Sequence, residues 1–417
     1  MGINFYPADW NVYIIRQLYD FKKTASYSRD QLNESGSIAY IHYGDIHTKF
    51  GYKLDLKKAL LPKISTEMSS NYTKIQTGDL VLADASEDYS GVAKMVEIVN
   101  DGHIDAISGL HTLLLRPKTD LVRQGFGTLI QCMPVFREQI IRYAAGLKVY
   151  GISKSNLALI EIPLPPIDEQ KVIAEALSDL DELIETLKQE IDKKLTLLRA
   201  LSQELLPWNF LTSLPSGWSL VTLGDSGIIS GAGVDKVFRA DEKEVTLINY
   251  MDVYRNDGLS KEFNYSKTTA TAKQISNCSL KEKDVLFTPT SETPEDIARS
   301  SVIINDIPNA VYSYHLIRFR PLQQFDLNFL KHVFNIDDFR SQVRKSAEGS
   351  GTRYVITLPR FRRLMMPVPD LAIQSSIGSI LDEASTEIKK LKIELGKYEW
   401  LKQGMMNDLL TGKVRLV

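Results

Sequence analysis

IPLPPIDEQKVIAEALSDLDELIETLKQEIDKKLTLLRALSQELL, residues 162–206, decides the fold. Pro163, Pro165 and Pro166 hold the backbone extended and block any helix arriving from upstream. Asp168 then stands where a cap belongs, and acidic residues fill the first turn, where the helix dipole favours them. Apolar residues follow at 173, 177, 180, 184, 187, 191, 198, 201 and 205, with Lys194 as the single break. Alternating steps of four and three predict a coiled-coil seam rather than the broader stripe of a globular surface helix.

A seam needs a partner, and the chain contains one. Adding 204 to each seam position gives Ile377, Leu381, Ala384, Ile388, Leu391, Leu395, Tyr398, Lys402, Met405 and Leu409, with its own break at Lys402. The prolines repeat as Pro367 and Pro369, and Gln170 repeats as Gln374. Two copies of one unit, each ending in a long helix, account for the 417 residues.

The repeat extends into the parts before each helix. Trp10 answers Trp218, Ile41-His-Tyr-Gly-Asp45 answers Ile248-Asn-Tyr-Met-Asp252, and Asp79 answers Asp284. His111 through Arg116-Pro117 answers His315 through Arg320-Pro321, and Phe136-Arg137-x-Gln139 answers Phe339-Arg340-x-Gln342. The stretches between these islands share little, as expected of one scaffold carrying two different surfaces. Strands are predicted at Leu80–Leu82, Leu113–Leu115, Val285–Phe287, Ser301–Ile304 and Leu316–Phe319, and helices over 121–145 and 325–347. Pro207, Pro215 and Gly217 mark a linker. The segments are therefore 1–166, the helix 167–206, 207–370, and a final helix with its tail, 371–417. Each half reads as α+β followed by a long helix.

Apolar residues make up 43% of the chain, enough for a core in each half, and no apolar run approaches a membrane span. The start, MGINFYPADW, has neither a basic opening nor an apolar stretch for export. Cys132 and Cys278 occupy unrelated repeat positions. Together these features predict a cytoplasmic protein. Net charge is −2, so any surface for nucleic acid must be local. Residues 167–206 hold 5 basic and 10 acidic side chains, whereas 207–370 hold 20 and 19. Phosphates should avoid the first long helix.

These motifs resemble the specificity subunit of type I restriction–modification systems. The resemblance is carried by Ile162-Pro-Leu-Pro-Pro-Ile-Asp-Glu169-Gln170, its echo Met366-Pro-Val-Pro369, Leu214-Pro-Ser-Gly-Trp218, and the ending Lys402-Gln-Gly-Met-Met-Asn-Asp-Leu-Leu-Thr-Gly-Lys-Val-Arg415. It departs at Asp370 and Ile373, which stand where the first copy has Pro166 and Glu169. The resemblance implies an α+β fold: two repeated target-recognition domains separated by two long antiparallel coiled-coil helices, related by a pseudo-twofold. It implies a non-catalytic subunit without cofactor or metal, whose partners are double-stranded DNA with a bipartite target, two methyltransferase subunits and, in the complete enzyme, restriction subunits. The rival reading is a coiled-coil scaffold that binds only proteins.

Candidate DNA contacts follow from residue chemistry. Arginine reads guanine edges and pairs with phosphate. A basic run near the end of the second copy holds Arg340, Arg344, Lys345, Arg353, Arg360, Arg362 and Arg363, opposed only by Glu348. The first copy offers Arg142, Lys148 and Lys154. The segments after the Ile-x-Tyr-x-Asp islands, predicted as polar loops, add His47 and Lys49 in one copy and Tyr254, Arg255 and Asn256 in the other. Asp45 and Asp252, being repeated, are read as turn caps, and His111 and His315 as structural histidines. No phosphate-binding loop, nucleophile elbow, zinc cluster or methyltransferase motif is present. A nuclease-like string, Asp370 with Glu387-Ile388-Lys389, fails because Ile388 is a seam residue, so its neighbours face outward.

Leu183, Leu195 and Leu197 lie beside the first seam and are candidates for docking a partner subunit. The simplest closure pairs the helices antiparallel, and one candidate register has residue numbers summing to 582. Ile173 then meets Leu409, Ile184 meets Tyr398, and each lysine break faces an apolar residue while its ammonium stays wet. At a rise of about 1.5 Å per residue, Ile173 to Leu205 spans roughly 50 Å. That length would serve as a ruler between two half-sites.

Overall fold

Leu80–Ala83 is buried on both faces, as a central strand must be. It lies in a five-stranded sheet of order Tyr19–Lys22, Thr112–Pro117, Leu80–Ala83, Met95–Val99, Lys53–Asp55, antiparallel except for the last pair. Val285–Phe287 holds the equivalent place in a second sheet of order Gly227–Ser230, Ile317–Pro321, Val285–Phe287, Ser300–Ile303, Gly258–Leu259, again with a parallel last pair. Each is accompanied by a three-stranded sheet, centred on Ile38–Ile41 in one case and Lys243–Ile248 in the other. The repeat read from sequence is thus a repeat of topology. The structure, a computed structural model, describes residues 6–206 and 214–416. Pro207, in the predicted linker, and the first five residues of the chain lie outside the described residues.

The chain divides into two compact units, Met1–Thr186 with Leu395–Val417 and Leu187–Glu394. Each unit contains one α+β part and a length of both long helices, the central helix Ile167–Leu205 and the C-terminal helix Leu371–Leu409. The central helix opens two residues earlier than an Asp168 cap would allow. The Pro166 carbonyl already accepts from Gln170 N at 3.0 Å, so Asp168 and Glu169 fill the first turn instead.

The helices run antiparallel within each unit. In the first, Ile173, Leu177, Met406 and Leu409 share one core with Trp10, Phe126 and Phe136. In the second, Ile377 and Leu381 share a core with Leu206, Phe319 and Phe339, and Leu198, Leu201 and Leu205 pack against it. The lysine breaks end in ion pairs, where the sequence reading had each ammonium in water. Lys194 reaches Glu387 at 2.7 Å, and Lys402 pairs with Asp181 while its ammonium lies 4.6 Å from the Tyr52 ring centroid. Their residue sums, 581 and 583, bracket the register of 582. Glu387 and Lys389 do face outward; Lys389 pairs with Asp257 at 2.7 Å.

Two predicted helices are each broken in two. Residues 121–145 form a 3-10 turn, Gly127–Cys132, and a helix, Pro134–Tyr143. Pro134 has no N–H to continue the first, and its fixed φ suits the first turn of the next. Residues 325–347 form Leu327–Val333, capped by the Asp326 carboxylate on Phe329 N at 3.0 Å, and Asp337–Ser346, which opens on Asp337 and Asp338.

The repeated islands are structural clamps. Gln139 bonds both the N–H and the C=O of Glu161 at 2.9 and 2.8 Å, and Gln342 does the same to Met365 at 3.1 and 3.2 Å. Each clamp fixes the strand that leads into a long helix. Gln170 and Gln374 bridge the Pro165 and Pro369 carbonyls, both at 2.9 Å, to backbone N–H groups of Arg123 and Asp326. The departure from the repeat at Glu169 and Ile373 also has a physical content. Glu169 is fully buried, accepts from Trp10 Nε1 at 3.3 Å and pairs with Arg415, so the tail after the C-terminal helix is tied down in the first unit.

Candidate nucleic-acid interface

A two-residue strand beside each central sheet organises the surface of its unit. In the first unit this strand is Ala85–Ser86. Its Ala85 carbonyl lies 2.9 Å from His47 Nε2, and its other edge pairs with Tyr150–Gly151. His47 sits on the short helix Tyr43–Thr48, so the predicted loop after this island is helical. The His42 imidazole accepts from Gly44 N at 3.1 Å and caps that helix, a role that its position gave no reason to expect. Tyr43 presents edge contacts to His47 and His111, at centroid distances of 6.0 and 5.3 Å. His111 Nδ1 lies 3.2 Å from Asp84 Oδ1. Burial raises the Asp84 carboxyl, and His111 opposes that rise.

In the second unit the organising strand is Thr290–Ser291. Tyr250 Oη donates to the Thr290 carbonyl at 2.7 Å, and Arg353–Val355 pairs along the strand. Tyr250 and Tyr254 stack on the helix Tyr250–Arg255, again helical where a loop was predicted. The Arg299 guanidinium lies 5.9 Å from the Tyr254 ring and pairs with Asp296 at 2.7 Å, which holds that carboxyl below its usual range. Glu348–Ser350 and Arg353–Val355 form a hairpin whose two-residue turn is Gly351-Thr352. Gly351, at φ 67°, takes the first central position, which glycine fills in type II′ turns.

Arg137 and Arg340 anchor the loops leaving these strands. Arg137 donates to the carbonyls of Tyr89, Ser90 and Val92 at 2.8–2.9 Å. Arg340 donates to Ala298 at 2.9 Å and to Glu295. Arg340 belongs both to the basic run and to a repeated island, and the structure gives it the island's scaffold role. It is buried, its guanidinium is consumed by loop carbonyls, and burial pushes its pKa down to about 10.

The other candidates divide by exposure and partner. Arg142, Lys148, Arg255, Arg344, Lys345 and Arg353 are exposed, and among the described residues none of the six forms an ion pair. Lys154 is exposed, with its ammonium 5.2 Å from the Phe21 ring. Lys49 is committed to Asp45 at 2.9 Å, as is Arg29, and Arg360 pairs with Glu348. Asn256 folds back to donate to the Asp252 carbonyl at 2.8 Å. Asp252 caps as predicted, accepting from Asn249 N at 2.7 Å. Asp45 instead serves as a buried hub: burial would raise its carboxyl, but Lys49 and Arg29 outweigh that and hold it low. His111 and His315 are both exposed, the latter with its ring 3.8 Å from Tyr314. Leu183 and Leu197 are 39% and 56% exposed and Leu195 is half-buried. The aromatic pair Tyr89–Tyr150, stacked at 4.0 Å, was not anticipated, because its members are 61 positions apart in sequence.

The fold and surface define a class: a tandem α+β scaffold that presents two different polar and aromatic faces on one topology. The chain belongs to the family described as type I restriction modification DNA specificity domain, which it matches twice, over residues 7–196 and 215–408. It is 24% identical to a Methanocaldococcus jannaschii chain bearing the name type I restriction enzyme MjaX specificity subunit, over 98% of this chain and 95% of that one. It is 25% identical to the MjaVIII specificity subunit of the same organism, over 65% of this chain and 66% of that one. The fold is shared with the type I restriction–modification S subunit from M. genitalium, at a TM-score of 0.57 and 14% identity over 98% of each chain. No helix among the described residues is long and apolar enough to cross a membrane.

Proposed function

We propose that this chain is the DNA sequence-recognition subunit of a type I restriction–modification enzyme, reading a bipartite target with one half-site per unit. The observation that carries this is the pair of organising strands, Ala85–Ser86 and Thr290–Ser291. Each supports an aromatic-bearing helix on one side and a projecting turn on the other, with different side chains in the two copies. Unpaired cations on those turns and helices supply phosphate contacts, and the divergent residues supply readout.

The chain itself is non-catalytic; methyl transfer and cleavage belong to its partners. Two methyltransferase subunits dock on it, with Leu183, Leu195 and Leu197 offering apolar surface on the central helix. The acidic balance of that helix keeps phosphate away from the docking flank. The test is a gel-shift titration against random-sequence DNA across salt, with and without co-expressed methyltransferase. Salt-sensitive binding, followed by selection of two fixed half-sites from a random pool, is the expected result. Absence of salt-sensitive binding under both conditions overturns the reading and favours the protein-binding scaffold.

A further inference from the structure

The two projecting turns hang from equivalent strands but carry opposite chemistry. In the second unit the turn reads Ser350-Gly351-Thr352-Arg353 and is polar throughout. In the first unit the segment is Ala144-Ala145-Gly146-Leu147-Lys148-Val149. Leu147 is 97% exposed and Val149 is 55% exposed. Full exposure leaves the apolar surface of this leucine in water, and on a surface turn it contributes nothing to the core.

This tip is held in place. Ala145 and Gly151 exchange both backbone hydrogen bonds, at 3.0 and 2.9 Å. Gly146 has φ 153°, and a Cβ there would lie 1.9 Å from the Val149 carbonyl oxygen, so only glycine makes this turn. Tyr150 stacks on Tyr89, whose carbonyl is fixed by Arg137. The same strand that pairs with Tyr150 also holds His47, so Leu147 belongs to the surface proposed for DNA. Arg142 and Lys148 lie on either side of it in sequence, exposed and without an ion pair among the described residues. An apolar point between unpaired cations matches a surface whose rim is phosphate and whose floor offers one apolar group, the thymine C5-methyl in the major groove.

We propose that Leu147 reads a thymine methyl in the half-site bound by the first unit, while Arg353 reads the other half-site through polar contacts. This rests on the DNA-recognition reading above.

The experiment uses the full chain co-expressed with its methyltransferase partner. A bound site is selected from a random pool, and each thymine is then replaced in turn by deoxyuridine. One substitution, in one half-site, should weaken binding about fourfold, the equivalent of ~0.8 kcal/mol for one buried methylene-sized group. That sensitivity should vanish in Leu147→Ser and persist in Leu147→Met. Arg353→Ala should alter base preference only in the opposite half-site. Salt-sensitive binding with no uracil-sensitive position overturns this proposal and leaves the recognition reading standing, as does uracil sensitivity that survives in Leu147→Ser. Loss of all salt-sensitive binding by the unaltered assembly overturns both.

Discussion

Asp79 receives both arms of the Arg116 guanidinium, at 2.8 Å from Nε and 2.7 Å from Nη2, and the same fork joins Asp284 to Arg320 at 2.7 and 2.6 Å. Both carboxylates are buried, and each also accepts a backbone N–H, from Gln76 or Lys281. The second arginine arm continues to a carbonyl, Lys74 in one unit and Ser279 in the other. The repeated Asp and Arg thus lock adjacent strands of each central sheet. Removing the arginine leaves a buried carboxylate without its counter-charge. Arg116→Ala or Arg320→Ala should each destabilise its own unit by about 3 kcal/mol. Arg→Lys should recover only part of this, because the fork is lost. Hydrogen exchange resolved by unit should locate the weakening; equal loss in both units would refute independent clamps.

Glu97 gives the first unit an unusual pH dependence. It is buried, its Oε1 accepts from Gly125 N at 2.6 Å, and Oε2 has no hydrogen-bond partner among the described residues. Burial raises its pKa, with the Gly125 and Thr128 amides and Lys53 opposing the rise. For an acid with a raised folded pKa, the native state binds the extra proton, so stability falls as pH rises from the unfolded value toward the folded one. Val302 stands near the equivalent place on the second sheet and cannot contribute such a term. Glu97→Gln should therefore raise the melting temperature at pH 7–8 and change it little at pH 4. A larger gain at pH 4 would reverse the sign and sink the argument.

The basic side chains of the second unit should separate into two kinds. Arg344, Lys345 and Arg353 are exposed, so single alanine substitutions should leave stability within about 0.5 kcal/mol. For each residue that contacts a phosphate, the substitution should also reduce the salt slope of DNA binding by roughly 1. Arg340→Ala should instead lower the thermal stability of the unit, because the carbonyls of Glu295 and Ala298 lose their donor. Titrations at several salt concentrations alongside melting curves would distinguish them. An unchanged melt for Arg340→Ala would remove it from the scaffold.

Leu183 and Leu197 project from the central helix away from its seam, and burying their exposed area would favour association. The double substitution to glutamate should abolish co-purification of the methyltransferase and leave the circular dichroism spectrum and melting temperature unchanged. Undiminished co-purification would place the docking surface elsewhere.

Much of this organisation was legible in sequence, because it depends on local period and repetition. The seam positions marked both long helices and their antiparallel pairing, because apolar spacing along one chain shows which face of each helix needs a partner. The islands also marked scaffold: Asp79, Arg116, Arg137, Gln139 and Gln170 repeat because the same backbone groups need the same partners in each copy. Only tertiary structure could say which partners those were. Arg340 sits in a basic run with Arg344 and Arg353, and nothing in their spacing reveals that it turns inward to the Ala298 carbonyl. The short helices at Tyr43–Thr48 and Tyr250–Arg255 were hidden because six residues are too few to show a period. Tyr89 meets Tyr150, and His47 meets Ala85, through pairings between distant segments that local sequence does not encode. The sequence by itself determined the elements that repeat, since apolar spacing and backbone hydrogen bonding act along the chain. The recognition surface was decided by folding, because it is assembled from loops whose neighbours are chosen in space.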